Sequence, residues 1–368
     1  MNYPGRLAIQ QRVLTPYRAA LFEALAAACK GGVAVCAGRP RPEESIASTD
    51  RLAAARFTPL DNLHLLRGPL YLCWQRGLLP WLEREDPSAL VVEANPRYLS
   101  TPAAVRWMKR RGRPVLGWGL GAPALTGPLA GLRRARRIRF VQQFDALLTY
   151  SQQGAQEYAA LGFPPDRIFV AANAASPAPA WPLPERPAGF AGRPNLLFVG
   201  RLQARKRVDL LLAACAALPE ALQPKLTIVG EGPESLELRA LAGRIYPQAE
   251  FPGAKHGPEL APYFRAADLF VLPGTGGLAV QEAMSYGLPV IMGRGDGTND
   301  DLVRPGNGWQ LGEESLPALT AARAEALSDA ARLRRMGAES YRIVAQEINL
   351  EKMVEIFVGA LNGLARSD

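Results

Sequence analysis

The stretch Leu272–Met292, LPGTGGLAVQEAMSYGLPVIM, holds residues well placed for chemistry in this chain of 368 residues. A short apolar strand is predicted before Pro273, a glycine-rich turn at 274–277, and a helix from Leu278. Glycines let the backbone approach a ligand, and the amino end of a helix offers unpaired N–H groups to phosphates or hydroxyls. Glu282 lies in this helix. Glu282 is either an ordinary solvated residue of the helix or a residue whose carboxylate accepts hydrogen bonds from a sugar or ribose diol. The local pattern favours neither interpretation.

Two cations follow another predicted strand in the same half of the chain. The sequence FVGRLQARK (198–206) ends a strand at Gly200 and then supplies Arg201 and Lys206. Arginine binds a diphosphate with two parallel hydrogen bonds and lysine adds a compact charge, so the pair could stabilise a nucleotide diphosphate as it leaves. The alternative interpretation is a loop of exposed basic residues, which is how we interpret Arg205 and Arg207.

Polar residues also follow predicted strands in the first half. The segment QQRVLTPYR (10–18) leaves the first strand through a loop and enters a helix, and VVEANPR (91–97) is a buried strand that ends in polar residues. Polar side chains at the carboxyl end of a parallel strand commonly contact ligands. For the tyrosine and arginine of the first loop, a sheet-capping ring and a solvated cation are equally good interpretations. The candidates for contacts with a ligand are Tyr17, Arg18, Glu93, Asn95 and Trp118.

The alternation of elements predicts the scaffold that would hold these residues. Strands are predicted at 6–13, 32–37, 89–94, 114–118, 146–150 and 168–172, and again at 196–199, 226–229, 249–252, 269–272 and 290–292. Helices are predicted between them, at 16–29, 152–161, 208–218, 234–242, 258–266 and 278–286, with a helical tail from about 316 to 364. Strands that alternate with helices indicate parallel sheets covered by helices on both faces.

A proline-rich stretch, SPAPAWPLPERPAGFAGRP (176–194), divides the two series. It can continue neither a helix nor a strand, so we predict a linker. The expected organisation is an α/β protein with one Rossmann-like domain at 1–175 and a second at 195–345. A C-terminal helix at 346–368 is expected to pack back on the first domain. A ligand is expected in the cleft, at the carboxyl ends of strands from both domains.

Composition excludes several classes of protein. Hydrophobic residues make up 48% and charged residues 21%, as in a soluble globular protein, and no apolar run is long enough to cross a membrane. The N-terminus has no signal-peptide pattern, and the four cysteines lack CxxC spacing. With only two histidines, no metal site is expected, and the cysteines are predicted to be reduced in a cytoplasmic protein. The absence of GxGxxG after the first strand and of GxxxxGK[ST] argues against NAD-dependent redox chemistry and P-loop ATPase activity.

The net charge of +9 is unevenly distributed. Residues 1–180 contain 23 Lys and Arg against 12 Asp and Glu, whereas the remainder contains 20 against 22. The excess lies in two runs that can be helical, Arg106–Arg113 and Arg133–Arg139. Such runs are either solvated basic faces or surfaces for an anionic membrane, a phosphate-bearing acceptor or nucleic acid. Nucleic acid ranks last, because no zinc-finger, RNA-recognition or basic-zipper signature accompanies them.

Five short sequences occur in order in the second half: FVGRLQARK, IVGEGPE, YFRAADLFVLP, EAMSYGLPVI and GNGW. Together they resemble the retaining glycosyltransferases of family 4, which have the GT-B fold. The resemblance covers essentially the whole second domain and, more loosely, residues 150–174. It implies two Rossmann-like domains that face each other across a cleft, with the acceptor-side domain at 1–175 and the nucleotide-sugar-binding domain at 195–345. The resemblance further implies that the first-half candidates, Tyr17, Arg18, Glu93, Asn95 and Trp118, are contacts for the acceptor or the sugar. It also implies transfer of a sugar from a nucleotide diphosphate sugar, without a metal or any cofactor beyond that co-substrate.

The resemblance assigns roles residue by residue. Arg201 and Lys206 match the pair that binds the donor diphosphate, and Glu282 matches the glutamate that binds the ribose hydroxyls. These three are the expected catalytic set. The remaining expected donor contacts lie in glycine turns and in loops near the base: Gly200, Gly230, Glu231, Lys255, His256, Gly274, Thr275, Gly276, Gly277 and Leu278.

The chain departs from the family pattern at two places. The family usually has a second glutamate N-terminal to the one that Glu282 matches, with seven residues between the two. This chain has Gly274 at that position. A histidine that the family places near the sugar is absent from 115–123. We interpret the chain as an active variant that transfers a sugar to a saccharide or lipid-linked saccharide at the cytoplasmic membrane face, in the assembly of a cell-surface polysaccharide or glycoconjugate. The alternatives are a sugar-nucleotide-binding protein without activity and a GT-B epimerase, which the scarcity of histidine disfavours.

Overall fold

A computed structural model describes residues 2–44, 46–276, 278–293, 295 and 297–365, with Pro69 described by its backbone alone. The chain divides into two compact units, and each has its own parallel sheet. The first unit contains residues 1–175 together with 350–368, and the second contains residues 176–349. Both units are α/β, as the alternation of elements predicted.

The first unit is built on a seven-stranded sheet with the strand order β3-β2-β1-β6-β7-β8-β9, in which every neighbouring pair is parallel. Its strands are β1 (Leu7–Val13), β2 (Val33–Gly38), β3 (Arg56–Pro59), β6 (Ala89–Glu93), β7 (Val115–Gly119), β8 (Ala146–Thr149) and β9 (Ile168–Val170). An antiparallel hairpin is formed by β4 (Asp61–Leu65) and β5 (Leu72–Arg76). The helices are α1 (Pro16–Ala28), α2 (Leu78–Glu85), α3 (Thr101–Lys109), α4 (Ala130–Val141), α5 (Gln152–Ala160) and α13 (Leu350–Ala365).

Strands β6 and β8 of the first sheet are buried on both faces, which explains their nearly continuous apolar sequences, whereas polar residues at 10–12 interrupt the sequence of β1. One core cluster joins Ala8 and Leu90 of the sheet to Met108 of α3 and Leu82 of α2. The C-terminal helix α13 packs against α1 and β9 within this unit. The chain therefore returns to the first unit after completing the second.

The second unit has a six-stranded parallel sheet with the order β12-β11-β10-β13-β14-β15. Its strands are β10 (Asn195–Val199), β11 (Lys225–Val229), β12 (Glu250–Gly253), β13 (Leu269–Leu272), β14 (Val290–Met292) and β15 (Gly308–Gln310). The helices are α6 (Val208–Ala216), α7 (Ser235–Ile245), α8 (Ala261–Ala266), α9 (Leu278–Ser285), α10 (Asn299–Leu302), α11 (Leu316–Ser328) and α12 (Ala330–Gln346). The predicted helical tail is thus three separate helices.

The proline-rich segment 176–194 forms neither helix nor strand, as its composition predicted. Trp181 donates a hydrogen bond from its indole N–H to the carbonyl of Ser285 at 3.1 Å and lies against the ring of Tyr286. Arg186 donates to the carbonyl of Phe264 at 2.9 Å, and burial lowers the pKa of Arg186 to about 10. The segment is therefore a strap that packs on the second unit.

Candidate active site

The described candidates of the second unit gather at one edge of its sheet. Arg201 follows β10, Glu231 follows β11, His256 follows β12, and the glycine turn from Gly274 follows β13. These strands are parallel, so their carboxyl ends meet at the same edge. Gly277, the remaining candidate of the glycine turn, lies outside the described residues.

Lys206 is held against the glycine turn. Its Nζ donates a hydrogen bond to the carbonyl of Thr275 at 2.6 Å, and the N–H of Thr275 donates to the carbonyl of Arg205 at 3.0 Å. The backbone at Gly276 has a φ of +141°, which favours glycine, and a Cβ there would displace the Lys206 ammonium from its present position. Burial, with a contribution from the nearby Arg205 charge, lowers the pKa of Lys206 to about 8. The ammonium group therefore lies directly beside the backbone that is expected to contact the donor.

Gly274 occupies a position where no side chain fits. A Cβ there would overlap the carbonyl oxygen of Arg205. The residues 204–206 form a single 3₁₀ turn whose backbone fills the space that a side chain at 274 would need. This packing gives a physical reason for the departure from the family pattern: a glutamate at position 274 would require the 3₁₀ turn to move.

Arg201 and Glu282 have free charged groups at this edge. Arg201 is exposed, and its guanidinium forms no hydrogen bond or ion pair with any described residue. Glu282 is half-buried in α9, and burial raises the pKa of its carboxyl above the ordinary value. Within the described part of the chain, no side chain donates to that carboxylate. Both groups therefore keep their hydrogen-bonding capacity for a ligand.

The loops expected near the base have a different character. Glu231 forms an ion pair with Arg239 at 3.1 Å, and hydrogen bonds from Ser235 and Arg239 lower the pKa of the Glu231 carboxyl. Arg239 also lies over the ring of Phe251. Lys255 is half-buried, whereas His256 and Leu278 are exposed. Glu231 is thus already paired, which distinguishes it from Glu282.

The first-unit candidates also lie at the carboxyl ends of neighbouring strands, but their environments differ. Tyr17 is 38% exposed, whereas Trp118 is 1% exposed and packs against the ring of Phe357. Trp118 is therefore a core residue, which corrects the expectation that its side chain contacts the acceptor directly. Asn95 accepts a hydrogen bond from the N–H of Arg97 at 3.1 Å and so stabilises the turn after β6.

Glu93 ends β6 inside a polar network that the sequence did not reveal. Its carboxylate accepts a hydrogen bond from the N–H of Arg12 at 2.8 Å. Burial raises the pKa of Glu93 to about 7, although the charges of Arg12 and Arg18 act in the opposite direction. Residues that share this network but were not among the candidates are Gln10, Arg12, Glu44, Asn62 and Gln75. The only sequence signal was the interruption of the apolar pattern by QQR at 10–12.

The described residues contain no cluster of three or more His, Cys, Asp or Glu side chains that could hold a metal ion. Among the same residues, no helix is long and apolar enough to cross a membrane. All four cysteines are buried free thiols.

Two family descriptions match the chain and together span most of it. "Glycosyl transferases group 1" matches residues 184–343, and "Glycosyl transferase 4-like domain" matches residues 14–174. The structure of Anabaena Alr3699/HepE in complex with UDP superposes with a TM-score of 0.69 at 14% identity, covering 99% of this chain and 100% of that one. At this identity the superposition shows the fold alone, which is GT-B.

Curated relatives match shorter parts of the chain. The sulfoquinovosyl transferase SQD2 of Arabidopsis thaliana is 37% identical over 111 residues, which are 29% of this chain and 21% of that protein. A GDP-mannose-dependent alpha-mannosyltransferase of Corynebacterium glutamicum is 40% identical over 128 residues, which are 33% of this chain and 29% of that protein. The match thus spans less than a third of either relative. Family descriptions, fold and relatives agree, and the chain belongs to the family 4-like glycosyltransferases of the GT-B fold.

Proposed function

We propose that this glycosyltransferase moves a sugar from a nucleotide diphosphate sugar to a hydroxyl of an acceptor, with retention at the anomeric carbon. The observation that carries the proposal is the donor edge, by which we mean the carboxyl edge of the second sheet with Arg201, Lys206 and Glu282. Lys206 lies there against the glycine turn, Arg201 is exposed after β10, and a half-buried carboxylate without a partner among the described residues lies in the helix that follows the turn. Cations suit a diphosphate, and a carboxylate suits the two hydroxyls of a ribose.

The chemistry requires the leaving diphosphate to be stabilised. The bond between the anomeric carbon and the diphosphate oxygen breaks, and its electron pair stays on the phosphate. The acceptor oxygen bonds to the anomeric carbon, and its proton passes to the departing phosphate. Arg201 and Lys206 would lower the barrier because negative charge grows on the phosphate during this step. Since these cations neutralise the diphosphate, the proposal includes neither a metal nor a cofactor.

The named relatives support a nucleotide-sugar donor without identifying it. One relative is named for GDP-mannose, and the superposed structure contains UDP, so the base and sugar differ among similar proteins. For the acceptor we propose a saccharide or a lipid-linked saccharide, used in the assembly of a cell-surface polysaccharide or glycoconjugate. The basic character of the first 180 residues supports an acceptor or a surface with negative charge.

An anionic membrane surface at the cytoplasmic side is the proposed location of the reaction. The helix α4 carries exposed Arg133 and Arg136 together with Leu132, which is 68% exposed. Leu132 and Arg133 lie four and three residues before Arg136, so the three side chains share one side of α4. Leu129, which is 70% exposed, directly precedes the helix. Exposed leucines flanked by arginines are typical of a surface that lies on anionic lipid. The other basic run, Arg106–Arg113, continues from α3 and supplies further exposed charge.

A donor screen tests the proposal. Purified protein is scanned for thermal stabilisation by UDP, GDP, ADP and dTDP sugars, since a ligand that binds the folded state raises the melting temperature. We expect one base to stabilise the protein and the intact sugar nucleotide to be hydrolysed slowly without an acceptor. Binding without hydrolysis or transfer to any acceptor would favour the inactive binding protein, and conversion of the sugar to an epimer would favour the epimerase.

Replacement of Glu282 tests its assignment to the ribose. Glu282→Gln should weaken binding of the nucleoside diphosphate by about 1–3 kcal/mol, the range for a hydrogen bond to a charged group. Glu237→Gln is the matched control, because Glu237 is an exposed helical glutamate of the same unit. Equal affinities of the two variants in isothermal titration would contradict the assignment.

A further inference from the structure

Arg18 is a buried arginine without a partner among the described residues. Its side chain is 4% exposed, and its guanidinium forms no hydrogen bond or ion pair with any of them. The guanidinium carbon lies 4.9 Å from the ring centre of Tyr17, 4.7 Å from that of Trp118 and 4.8 Å from that of Tyr150. We call this arrangement of Arg18 and its three rings the arginine cage.

The rings stabilise the positive charge of Arg18 but accept no hydrogen bonds from its guanidinium. Aromatic faces attract a cation, whereas the guanidinium N–H donors point outward in the plane of the group. One terminal nitrogen of Arg18, Nη1, is fully buried and has no acceptor in the described part of the chain. A buried donor on a charged group that lacks an acceptor costs more than an ordinary one. A small anion would supply the missing acceptors.

Arg12 shows what the cage lacks. Both arginines lie near the carboxyl end of β1, but Arg12 is paired with the carboxylate of Glu44 at 2.8 Å. The Glu93 carboxylate accepts the backbone N–H of Arg12 and forms no hydrogen bond with Arg18. Arg18 therefore differs from Arg12, because it is buried without a carboxylate partner. Arginines at this edge of the sheet do not all lack such a partner.

The start of α1 adds positive potential at the same place. Arg18 lies in the first turn of this helix of 13 residues, and the side chain of Thr15 does not cap its amino end. Pro16, the first helical residue, has no N–H, so the N–H of Tyr17 is the first free donor of the helix. The amino end of a helix attracts anions by its dipole as well as by these donors.

We propose that the arginine cage binds an anionic group of a substrate, a phosphate or a carboxylate, at the carboxyl edge of the first sheet. The proposal rests on the transferase function proposed above. The acceptor is the favoured source of the group, because the donor diphosphate has its own cations, Arg201 and Lys206, in the second unit. Tyr17 and Tyr150 would then lie beside the bound anion and limit its access to water.

Inorganic phosphate is the first probe. The double variant Arg201→Gln/Lys206→Gln removes the other proposed phosphate contacts, and thermal stabilisation by phosphate is measured against chloride at equal ionic strength. We expect saturable stabilisation that disappears when Arg18→Met is added, because methionine fills the space between aromatic rings without a charge. Arg106→Met, at an exposed position of α3, is the matched control and should leave the stabilisation unchanged. Phosphate stabilisation that survives Arg18→Met would overturn the proposal.

A spectroscopic measurement keeps the test valid if Arg18→Met does not fold. The three rings should displace the Nε–H resonance of Arg18 from the other arginine signals, and Arg18→Lys, which keeps the cation, identifies that resonance by its loss. In the wild-type protein this resonance should move on addition of inorganic phosphate. A resonance that stays fixed at phosphate concentrations that stabilise the double variant would also overturn the proposal.

Binding of UDP distinguishes the two sources of the anion. If the group belongs to the acceptor, Arg18→Met should leave the affinity for UDP unchanged and raise the KM for the acceptor about tenfold, as expected for the loss of a hydrogen bond to a charged group. If it belongs to the donor, UDP affinity should fall by a similar factor. If the UDP affinity and the acceptor KM of Arg18→Met both matched those of the wild type, the arginine cage would not be a substrate site. Wild-type protein that bound no nucleotide would instead contradict the proposed function.

Discussion

Lys206 has a pKa close to the pH range in which enzymes are assayed. Burial lowers the pKa of its ammonium to about 8, so the group loses its charge above that pH in the free protein. The diphosphate is fully ionised there and binds best to the charged form. We therefore expect the affinity for UDP to fall as the pH rises through about 8, approaching a tenfold loss for each further pH unit.

The variant Lys206→Arg provides the control for this prediction. Its side chain keeps its charge at every assay pH, because a guanidinium does not titrate below about pH 12. The UDP affinity of the variant should therefore be nearly constant between about pH 7 and pH 9 when measured by isothermal titration calorimetry. If the wild type and Lys206→Arg showed the same pH dependence, Lys206 would not be in contact with the diphosphate.

Glu93 makes the stability of the first unit depend on pH. Burial raises the pKa of its carboxyl from 4.5 to about 7, so the folded state holds this proton more tightly than the unfolded state. The resulting stability is present below pH 4.5 and is lost as the pH rises through about 7. For a pKa shift of this size, the free energy of unfolding falls by up to about 3 kcal/mol.

Glu93→Gln should remove that pH dependence. Glutamine is neutral at every pH, and its carbonyl oxygen can still accept the N–H of Arg12. Urea unfolding at about pH 5 and about pH 8 should show the variant gaining stability relative to the wild type as the pH rises. If the difference in unfolding free energy between the variant and the wild type stayed constant over this pH range, Glu93 would already be ionised at the lower pH.

At the scale of elements, the donor edge depends on loops that pack backbone against backbone. A Cβ at Gly274 would overlap the carbonyl of Arg205, and one at Gly230 would overlap the carbonyl of Gly200. Gly274→Ala should therefore cost about 1–3 kcal/mol of unfolding free energy, as other overpacked sites do, and should weaken UDP binding because the Lys206 contact shifts.

Gly243→Ala is the matched control for the packing of the glycine turn. Gly243 lies in α7, where an added Cβ meets nothing within 4 Å. Alanine is a better helix former than glycine, so the unfolding free energy of this variant should rise by up to about 1 kcal/mol. The variant should bind UDP with the affinity of the wild type. Equal melting temperatures for the two variants would show that the turn can relax around a side chain at position 274.

The sequence predicted the central elements better than the edges. Strands such as β8 and β13 are short, apolar and buried, and this pattern is recognisable without a structure. The strands β3, β4, β5 and β15 were not predicted. They are peripheral strands of three to five residues, and their residues are mostly partly or fully exposed. An edge strand buries less surface, so its sequence carries less of the apolar signal.

The candidate site shows the same division. Arg201, Lys206 and Glu282 follow strand ends in a recognisable order, so the sequence alone suggested them. The arginine cage gave no such signal, because its rings come from α1, β7 and the end of β8. Only folding brings Tyr17, Trp118 and Tyr150 to one side chain. The packing of the strap at 176–194 was not predicted for a related reason, since the carbonyls that hold Arg186 are distant in the chain.

At the scale of the whole molecule, positive charge is concentrated in the first unit. Its most exposed concentration is α4, where Arg133, Arg136 and Arg139 are exposed. Arg137 belongs to the same run but donates to the carbonyl of Pro123 at 2.6 Å, and burial lowers its pKa. The charge available to a membrane therefore excludes Arg137, although it belongs to the basic run Arg133–Arg139 that the sequence indicated.

Binding to anionic vesicles tests whether α4 meets a membrane. Each exposed arginine could contribute about 1 kcal/mol near an anionic surface. Binding should be strong at low salt and weak at physiological salt, because the Debye length shrinks from about 30 Å at 0.01 M to about 8 Å at 0.15 M. Reversal of Arg133, Arg136 and Arg139 to glutamate should abolish binding in a vesicle co-sedimentation assay without changing UDP affinity.

The control for this reversal changes the same net charge elsewhere. Arg193, Arg244 and Arg335 are exposed arginines of the second unit, and their reversal to glutamate alters the total charge equally. If α4 is the contact, this control should retain most of the vesicle binding, because the leucines and arginines of α4 are intact. Equal losses in both variants would show that net charge alone drives the association. A wild-type protein that ignored anionic vesicles even at 0.01 M salt, where the Debye length is about 30 Å, would leave an acceptor free in solution as the better proposal.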